Sequence, residues 1–324
     1  MRRIKLLEVR SELGAGTRGA SMGIDALKVA CLNKGSDYFR RFNTVAVPDL
    51  NHVLFEPNQF PYARHIDSIY TVQRAVASTV EQTLRFGEFQ LILSADHSSA
   101  NATIAGIKAA YPNKTLGVIW IDAHADIHSP YTTPSGNVHG MPLAASLGED
   151  NRECQRQQPD EETEFFWQRL KNLSVPGPRI LPEHLVYVAV RDTEAEEEAL
   201  IERLGIRWIR LPEIQQKGSR QLSREIYEHL RFCDIVYISF DVDSLDSSFS
   251  RGTGTPVANG LYLSEGENLC QDLLDNERVV CFEMGEINPT LDHENTMAHN
   301  AFNILEKATE AIENRLRMEE VVSR

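Results

Sequence analysis

Leu116-Gly117-Val118-Ile119-Trp120-Ile121-Asp122-Ala123-His124-Ala125-Asp126 is the stretch on which the fold turns. Its first six residues form a near-continuous apolar run, the pattern of a strand buried on both faces, as in a parallel sheet. The next five alternate an acid or an imidazole with alanine. In open α/β sheets ligands sit outside the carboxyl ends of the strands. The stretch therefore reads as a buried strand delivering polar groups to the rim of a sheet. Similar apolar runs occur at Leu91–Leu93, Leu185–Val190, Ile235–Phe240 and Val279–Phe282. Between them apolar residues step by three and four. Ile66, Ile69, Val72, Val76, Val80 and Leu84 mark one helix face, and Phe302, Leu305, Ile312 and Leu316 another. Strands alternating with helices predict an α/β layered fold with crossover connections and a mainly parallel central sheet.

The 324 residues carry 33 Lys and Arg against 47 Asp and Glu, a formal charge of −14. That balance argues against a nucleic-acid partner, which a basic face would serve by releasing counterions. No run of apolar residues is long enough to span a membrane. The five cysteines are scattered, odd in number and without CxxC spacing, which suits reduced thiols and a cytoplasmic protein. With no repeat and no low-complexity linker, the expectation is one domain, 1–324. One segment breaks the strand and helix rhythm. Residues 149–182 are polar, and we read them as an elaborated loop with a short helix around Phe165 to Leu170.

Four of the ten histidines (His97, His124, His128, His139) fall between residues 97 and 139, accompanied by Asp96, Asp122 and Asp126. A second acidic pair, Asp241 and Asp243, follows the apolar run Ile235–Phe240, and His97 follows Leu91–Leu93. In extended chain, residues i, i+2 and i+4 project to one side, which would place Asp122, His124 and Asp126 together, and Asp241 with Asp243. So many carboxylates at one rim would repel and raise one another's pKa unless cations balance them. A lone Asp after a strand is more often a helix N-cap; three clusters at successive strand ends favour a metal. Without cysteine among them, a carboxylate-rich set with two imidazoles suits Mn²⁺ ahead of Zn²⁺, Fe²⁺ or Co²⁺. Six ligands exceed what one ion needs while leaving room for substrate, so a two-metal site activating a water is the better fit.

Several motifs then match a known pattern in order along nearly the whole chain. They are Asp122-Ala123-His124-Ala125-Asp126, Thr132-Thr133-Pro134-Ser135-Gly136-Asn137-Val138-His139-Gly140-Met141-Pro142, Ser239 to Asp246, Gly254-Thr255-Pro256-Val257 and Glu286-Ile287-Asn288-Pro289. Together with Arg18-Gly19 and Met22-Gly23, they resemble the ureohydrolases, and arginases in particular. The resemblance implies a three-layer α/β/α fold and hydrolysis of L-arginine to L-ornithine and urea by a metal-bridging hydroxide. Other members act on agmatine, guanidino acids or formimidoylglutamate. It implies two Mn²⁺ per chain, one held by His97, Asp122, Asp126 and Asp241, the other by His124, Asp122, Asp241 and Asp243. Glu286 would pair with the guanidinium and His139 would shuttle a proton, with Asp126 in the catalytic centre. Ser135, Asn137 and His128 would face the α-carboxylate, Glu194 and Glu197 the α-amino group, and Thr255 would lie beside the guanidinium. A homo-oligomer, trimer or hexamer, is the implied assembly.

The chain departs from that pattern at Ser94-Ala95, where two glycines are usual, and at His128, where asparagine is usual. It also departs at Glu194 (for aspartate) and Ser247 (for proline). No metal ligand is lost, and two departures fall on amino-acid recognition. Elsewhere plainer readings hold. Asp96 reads as a hydrogen-bond partner beside a ligand, and His184, His229, His293 and His299 as surface or capping residues. Taken alone, the run Glu194–Glu198 is a solvated helix start.

Overall fold

The computed structural model describes residues 3–322. In chain order the elements are β1 (Ile4–Val9), α1 (Gly23–Asn33), α2 (Tyr38–Arg41), β2 (Asn43–Ala46), α3 (Ile66–Arg85), β3 (Phe89–Ser94), α4 (Ala100–Ala110), β4 (Leu116–Ile121), α5 (Pro142–Leu147) and α6 (Glu161–Lys171). There follow β5 (Leu185–Val188), α7 (Ala195–Leu204), β6 (Arg207–Ile209), α8 (Leu211–Lys217), α9 (Ser219–His229), β7 (Ile235–Asp241), α10 (Leu263–Leu274), β8 (Val279–Gly285) and α11 (Thr296–Val322). Eight strands form one sheet in the order β2-β1-β3-β8-β7-β4-β5-β6. Every pairing between them is parallel. The sheet is thus wholly parallel among the described residues.

Alternation along the strands builds the two outer layers. In β4, Ile119 and Ile121 enter the core shared with α1, α9, α10 and α11, while Val118 and Trp120 enter the one under α3, α4, α5 and α6. In β7, Val236, Ile238 and Phe240 face the first core and Tyr237 the second. With apolar groups on both faces, a strand has no solvated side, and helices must cover each. The result is the three-layer α/β/α arrangement. β1, β2 and β6 are not among the apolar runs singled out above. β2 (Asn-Thr-Val-Ala) is mostly exposed at one edge of the sheet, and β6 is only three residues long at the other.

Residues 149–182 hold a helix longer than the sequence suggests. α6 spans 11 residues, capped by Asp160, whose side chain accepts the Thr163 N–H at 2.7 Å. Trp167 and Leu170 are buried beneath it, while Phe165 points outward and is 52% exposed. The guanidinium of buried Arg179 closes the far end of α6 by donating to Leu170 O, Lys171 O and Leu173 O, and also donates to Asn101 Oδ1 and Ala145 O.

Candidate active site and metal centre

The strand order brings β3, β8, β7, β4 and β5 side by side, and the segments leaving their carboxyl ends converge. β3 is followed by Asp96 and His97, β4 by Asp122 to Asp126, and β5 by residues 189–197. β7 ends at Asp241 with Asp243 two residues on, and β8 leads into Glu286. Asp126, Ala189 and Glu286 all adopt left-handed backbone (φ 50°, 69° and 68°). Such conformations cost about 1–2 kcal/mol in a non-glycine residue and persist where surrounding packing imposes them.

The residues Asp122 to Asp126 do not continue β4 as an alternating strand. The strand ends at Ile121 and the chain bends, so the expected common side for Asp122, His124 and Asp126 is not what joins them. Two centres form instead. His97 Nδ1 lies 3.0 Å from Asp122 Oδ2, 3.0 Å from Asp126 Oδ2 and 3.2 Å from Asp241 Oδ2. His124 Nδ1 lies 3.0 Å from Asp243 Oδ2 and 3.6 Å from Asp122 Oδ1. Asp243 likewise sits in a short 3-10 turn beyond β7, where its N–H donates to Asp241 Oδ1.

The donor set fits divalent cations. His97, Asp122, Asp126, Asp241 and Asp243 are all buried, and a buried carboxylate needs a compensating charge. Burial, followed by the neighbouring carboxylates, pushes Asp122 up to about 6 and Asp241 well above the usual carboxylate range. Burial lowers His97 and His124, but the surrounding aspartates outweigh it and raise both well above an ordinary imidazole. Asp243 moves the other way: burial raises it, and the charge of His124 outweighs that and holds it below the usual range. Buried carboxylates and imidazoles that disturb one another's charge in this way are crowded around a point where positive charge is required. Neither His97 Nδ1 nor Asp122 Oδ2 has a well-directed hydrogen bond, as befits ligand atoms aimed at such a point. The other ring nitrogen, His97 Nε2, lies 2.7 Å from Ser239 Oγ, and the Trp120 indole stacks on the ring at 4.1 Å. These contacts fix the imidazole in place.

A cleft of about 290 Å³ opens over the cluster. Beside the acids, Glu286 Oε1 accepts the His97 backbone N–H at 2.9 Å and lies 3.0 Å from His139 Nδ1. Burial lowers the His139 imidazole, but the charge and hydrogen bond of Glu286 outweigh it and lift it to about 9. Thr255 Oγ1 donates to Asp243 Oδ2 at 3.0 Å. Further out, the turn of Ser135 and Asn137 forms one wall and Asp192, Glu194 and Glu197 another. His128 Nε2 lies 3.1 Å from Glu194 Oε2 and 3.7 Å from Glu197 Oε2, with Nδ1 3.0 Å from Thr132 Oγ1. Glu194 is also the N-cap of α7, completing a capping box with Glu197, so the helix-start reading of this run holds alongside its place in the cleft. The hydrogen bond from His128 pulls the Glu194 carboxyl down to about 2, while burial and Glu194 push Glu197 well above the usual range.

Every residue singled out from the sequence as a ligand, catalytic group or substrate contact thus lies at one rim of the sheet. Asp96 sits just behind, its carboxylate accepting the N–H groups of Gly14 and Ser98 at 2.9 Å each; burial, followed by the charge of Glu286, raises it to about 6. The parts played here by Asp192, Ser239 and Trp120 carry no mark in the sequence. Asp192 is an exposed acid in a loop, and nothing in the local pattern marks it. Ser239 and Trp120 lie inside strand runs, where they read as core.

Fold and site together define a metal-dependent hydrolase built on a parallel α/β sheet. A family model described as "Arginase family" matches residues 2–309. The chain is 33% identical over 303 residues to the arginase of Brevibacillus brevis, covering 92% of this chain and 94% of that protein. The crystal structure of Bacillus caldovelox arginase superposes with a TM-score of 0.80 at 30% identity, covering 95% of this chain and 98% of that one. The chain belongs to the arginase family and is, with it, a hydrolase of carbon–nitrogen bonds in linear amidines. A formimidoylglutamase of Bacillus subtilis shares the fold (TM-score 0.72) at 20% identity, so the fold by itself does not choose among amidine substrates. No helix of the described residues is long and apolar enough to cross a membrane.

Proposed function

We propose that this chain hydrolyses the guanidinium group of L-arginine to L-ornithine and urea. The observation that carries the reading is the paired cluster, His97 among Asp122, Asp126 and Asp241, and His124 beside Asp243, with the carboxylate of Glu286 alongside. In this reading His97, Asp122, Asp126 and Asp241 would hold one Mn²⁺, and His124 and Asp243, with Asp122 and Asp241, would hold the other. When bound, such ions lower the pKa of water and polarise the group it attacks.

The chain's own residues do the remaining work. Glu286 offers a carboxylate oxygen to the guanidinium, a charge-assisted hydrogen bond. With Oε1 already engaged by the His97 N–H and near His139, Oε2 is left to meet the substrate. His139, held protonated near neutral pH by Glu286 at Nδ1, supplies a proton from Nε2 to the departing amine. Thr255 fixes Asp243. Ser135 and Asn137 bind the α-carboxylate through hydroxyl and amide groups, with His128 between the two walls. Glu194 and Glu197 bind the α-ammonium. Among the described residues, neither lysine nor arginine lines the cleft, which suits a cationic substrate.

A second reading, turnover of agmatine, a guanidino acid or formimidoylglutamate, draws on one observation. His128 already occupies one oxygen of Glu194, at the end where an amino acid is recognised. Urea or formamide release with Mn²⁺ across these substrates decides between them. L-arginine is expected to be hydrolysed and agmatine poorly used, and Asp126→Ala should abolish turnover. Rapid use of another amidine with L-arginine untouched would overturn the first reading. We further infer a homo-oligomer, trimer or hexamer, supported by the family likeness. A cytoplasmic setting is supported by five free thiols, four of them buried, and a single working domain, 1–324, by the one shared sheet.

A further inference from the structure

Between Asp126 and Val138 the chain crosses the mouth of the cleft with no helix or strand, yet it carries His128, Ser135 and Asn137. A loop must find partners for its backbone polar groups. Here the carbonyls of Pro130, Tyr131 and Thr133 take their donors from the first part of the 149–182 segment. Tyr131 O accepts the N–H groups of Arg156 and Gln157 at 2.8 and 3.3 Å. The Gln157 side-chain amide donates to Thr133 O at 2.6 Å and to Pro130 O at 3.3 Å. Ser129 Oγ donates to Asp150 O at 2.5 Å. The same segment reaches the opposite wall: buried Asn151, in left-handed backbone (φ 51°), donates from Nδ2 to Glu196 O at 2.8 Å. Asp150 is held in turn by Trp167 Nε1 at 2.7 Å and Lys171 Nζ at 2.6 Å, both on α6.

We propose that residues 149–158 are a strap that sets the spacing between the two walls of the substrate mouth, and that Gln157 is a positioning residue for substrate affinity. This rests on the reading above, in which Ser135 and Asn137 bind one end of the substrate and Glu194 and Glu197 the other. The strap touches no metal ligand and no reacting atom. Its effect therefore falls on binding of the amino-acid end, with the cluster beneath unaltered. Gln157 is suited to this because one amide spans two carbonyls of the loop, so its loss frees both at once. Asn151 is suited because asparagine tolerates the left-handed conformation that turns the strap toward α7.

The test is Gln157→Ala in the full chain loaded with Mn²⁺. A KM for L-arginine raised about tenfold with kcat within about twofold is expected, the size that two lost neutral hydrogen bonds confer on ground-state binding. Inhibition by unsubstituted guanidinium, which lacks the amino-acid end, should be unchanged. Backbone amides of residues 129–135 should exchange with deuterium faster than in the wild type. An unchanged KM with unchanged exchange would overturn the strap. So would kcat falling in parallel with weaker guanidinium inhibition, since the effect would then reach the metal centre. Asn151→Gly, which accommodates the same left-handed backbone and loses the side-chain bond to Glu196 O, gives the same reading if Gln157→Ala does not fold. If the wild type leaves L-arginine intact, the substrate reading fails, and amide exchange in the two variants decides the strap without it.

Discussion

Replacing Arg179 by methionine should destabilise the protein by about 3 kcal/mol, because one buried guanidinium closes a helix and joins three elements. Arg179 is 3% exposed and donates from Nη1 to Leu170 O (3.0 Å), Lys171 O (3.0 Å) and Leu173 O (3.3 Å). From Nη2 it donates to Asn101 Oδ1 (2.6 Å) and Ala145 O (2.9 Å). The last carbonyls of a helix lack partners within it, and a cation at that end also answers the helix dipole. Some acceptors keep a second donor in the variant: Asn101 Oδ1 retains Ser146 Oγ at 3.0 Å, and Leu170 O retains Asn101 Nδ2 at 3.3 Å. Lys171 O would be left bare, at a cost of about 1–3 kcal/mol. Weakening of the remaining charged hydrogen bonds adds a similar amount, partly offset because methionine buries no charge. For a chain of this length about 0.7 kcal/mol corresponds to one degree, so the midpoint should fall by about 4 °C. Thermal unfolding of wild type, Arg179→Met and Arg179→Lys, followed by far-ultraviolet circular dichroism, makes the measurement. Lysine should recover part of the loss, having charge without the fork. A methionine variant melting within 1 °C of the wild type would show that the network contributes nothing net.

Chelation should lower the melting point, and excess Mn²⁺ should restore it. At a hundredfold excess over Kd the ion contributes about 2.7 kcal/mol, or about 4 °C here, and an unshifted midpoint would contradict the cation site. The Glu194 carboxyl, held at about 2 by His128, should show no titration in its carbon-13 signal down to pH 3, and in His128→Ala its midpoint should return toward about 4.3. Because its folded pKa is depressed, its stabilisation is present above the unfolded value and is lost as pH falls toward 2. Gly136→Ala should cost about 2 kcal/mol in urea unfolding and raise KM, since Gly136 has φ 76° and an added Cβ would lie 2.1 Å from Pro61 O. A variant with wild-type stability would refute that contact.

Much of the site was legible in the sequence because its ligands are short side chains set immediately after apolar strand runs. His97, Asp122, His124, Asp126, Asp241 and Asp243 all follow a run that must be buried, so the rim position follows from the run itself. The local geometry was not legible in the same way. Period-two alternation placed Asp122, His124 and Asp126 on one side of an extended chain. The chain bends after Ile121 and Asp126 turns left-handed, so Asp122 and Asp126 meet at His97 while His124 turns to Asp243 and the other oxygen of Asp122. α6 was foreshortened because its first turn, Glu161 to Glu164, is polar and reads as loop until Asp160 is seen to cap it.

An α/β sheet buried on both faces, the rim that carries the chemistry, and the family can all be read from the residues in order. Each of these is written in residue type and near-neighbour spacing. The order of the strands is set instead by packing between segments far apart in the chain. That order places β3, β8, β7, β4 and β5 side by side, so only the tertiary structure brought Glu286 against His97 and His139, and Glu194 against His128. It also showed residues 149–158 supplying donors to a loop some twenty-five residues earlier. A loop's backbone must be satisfied by whatever segment folds beside it, and sequence spacing carries no record of which segment that is.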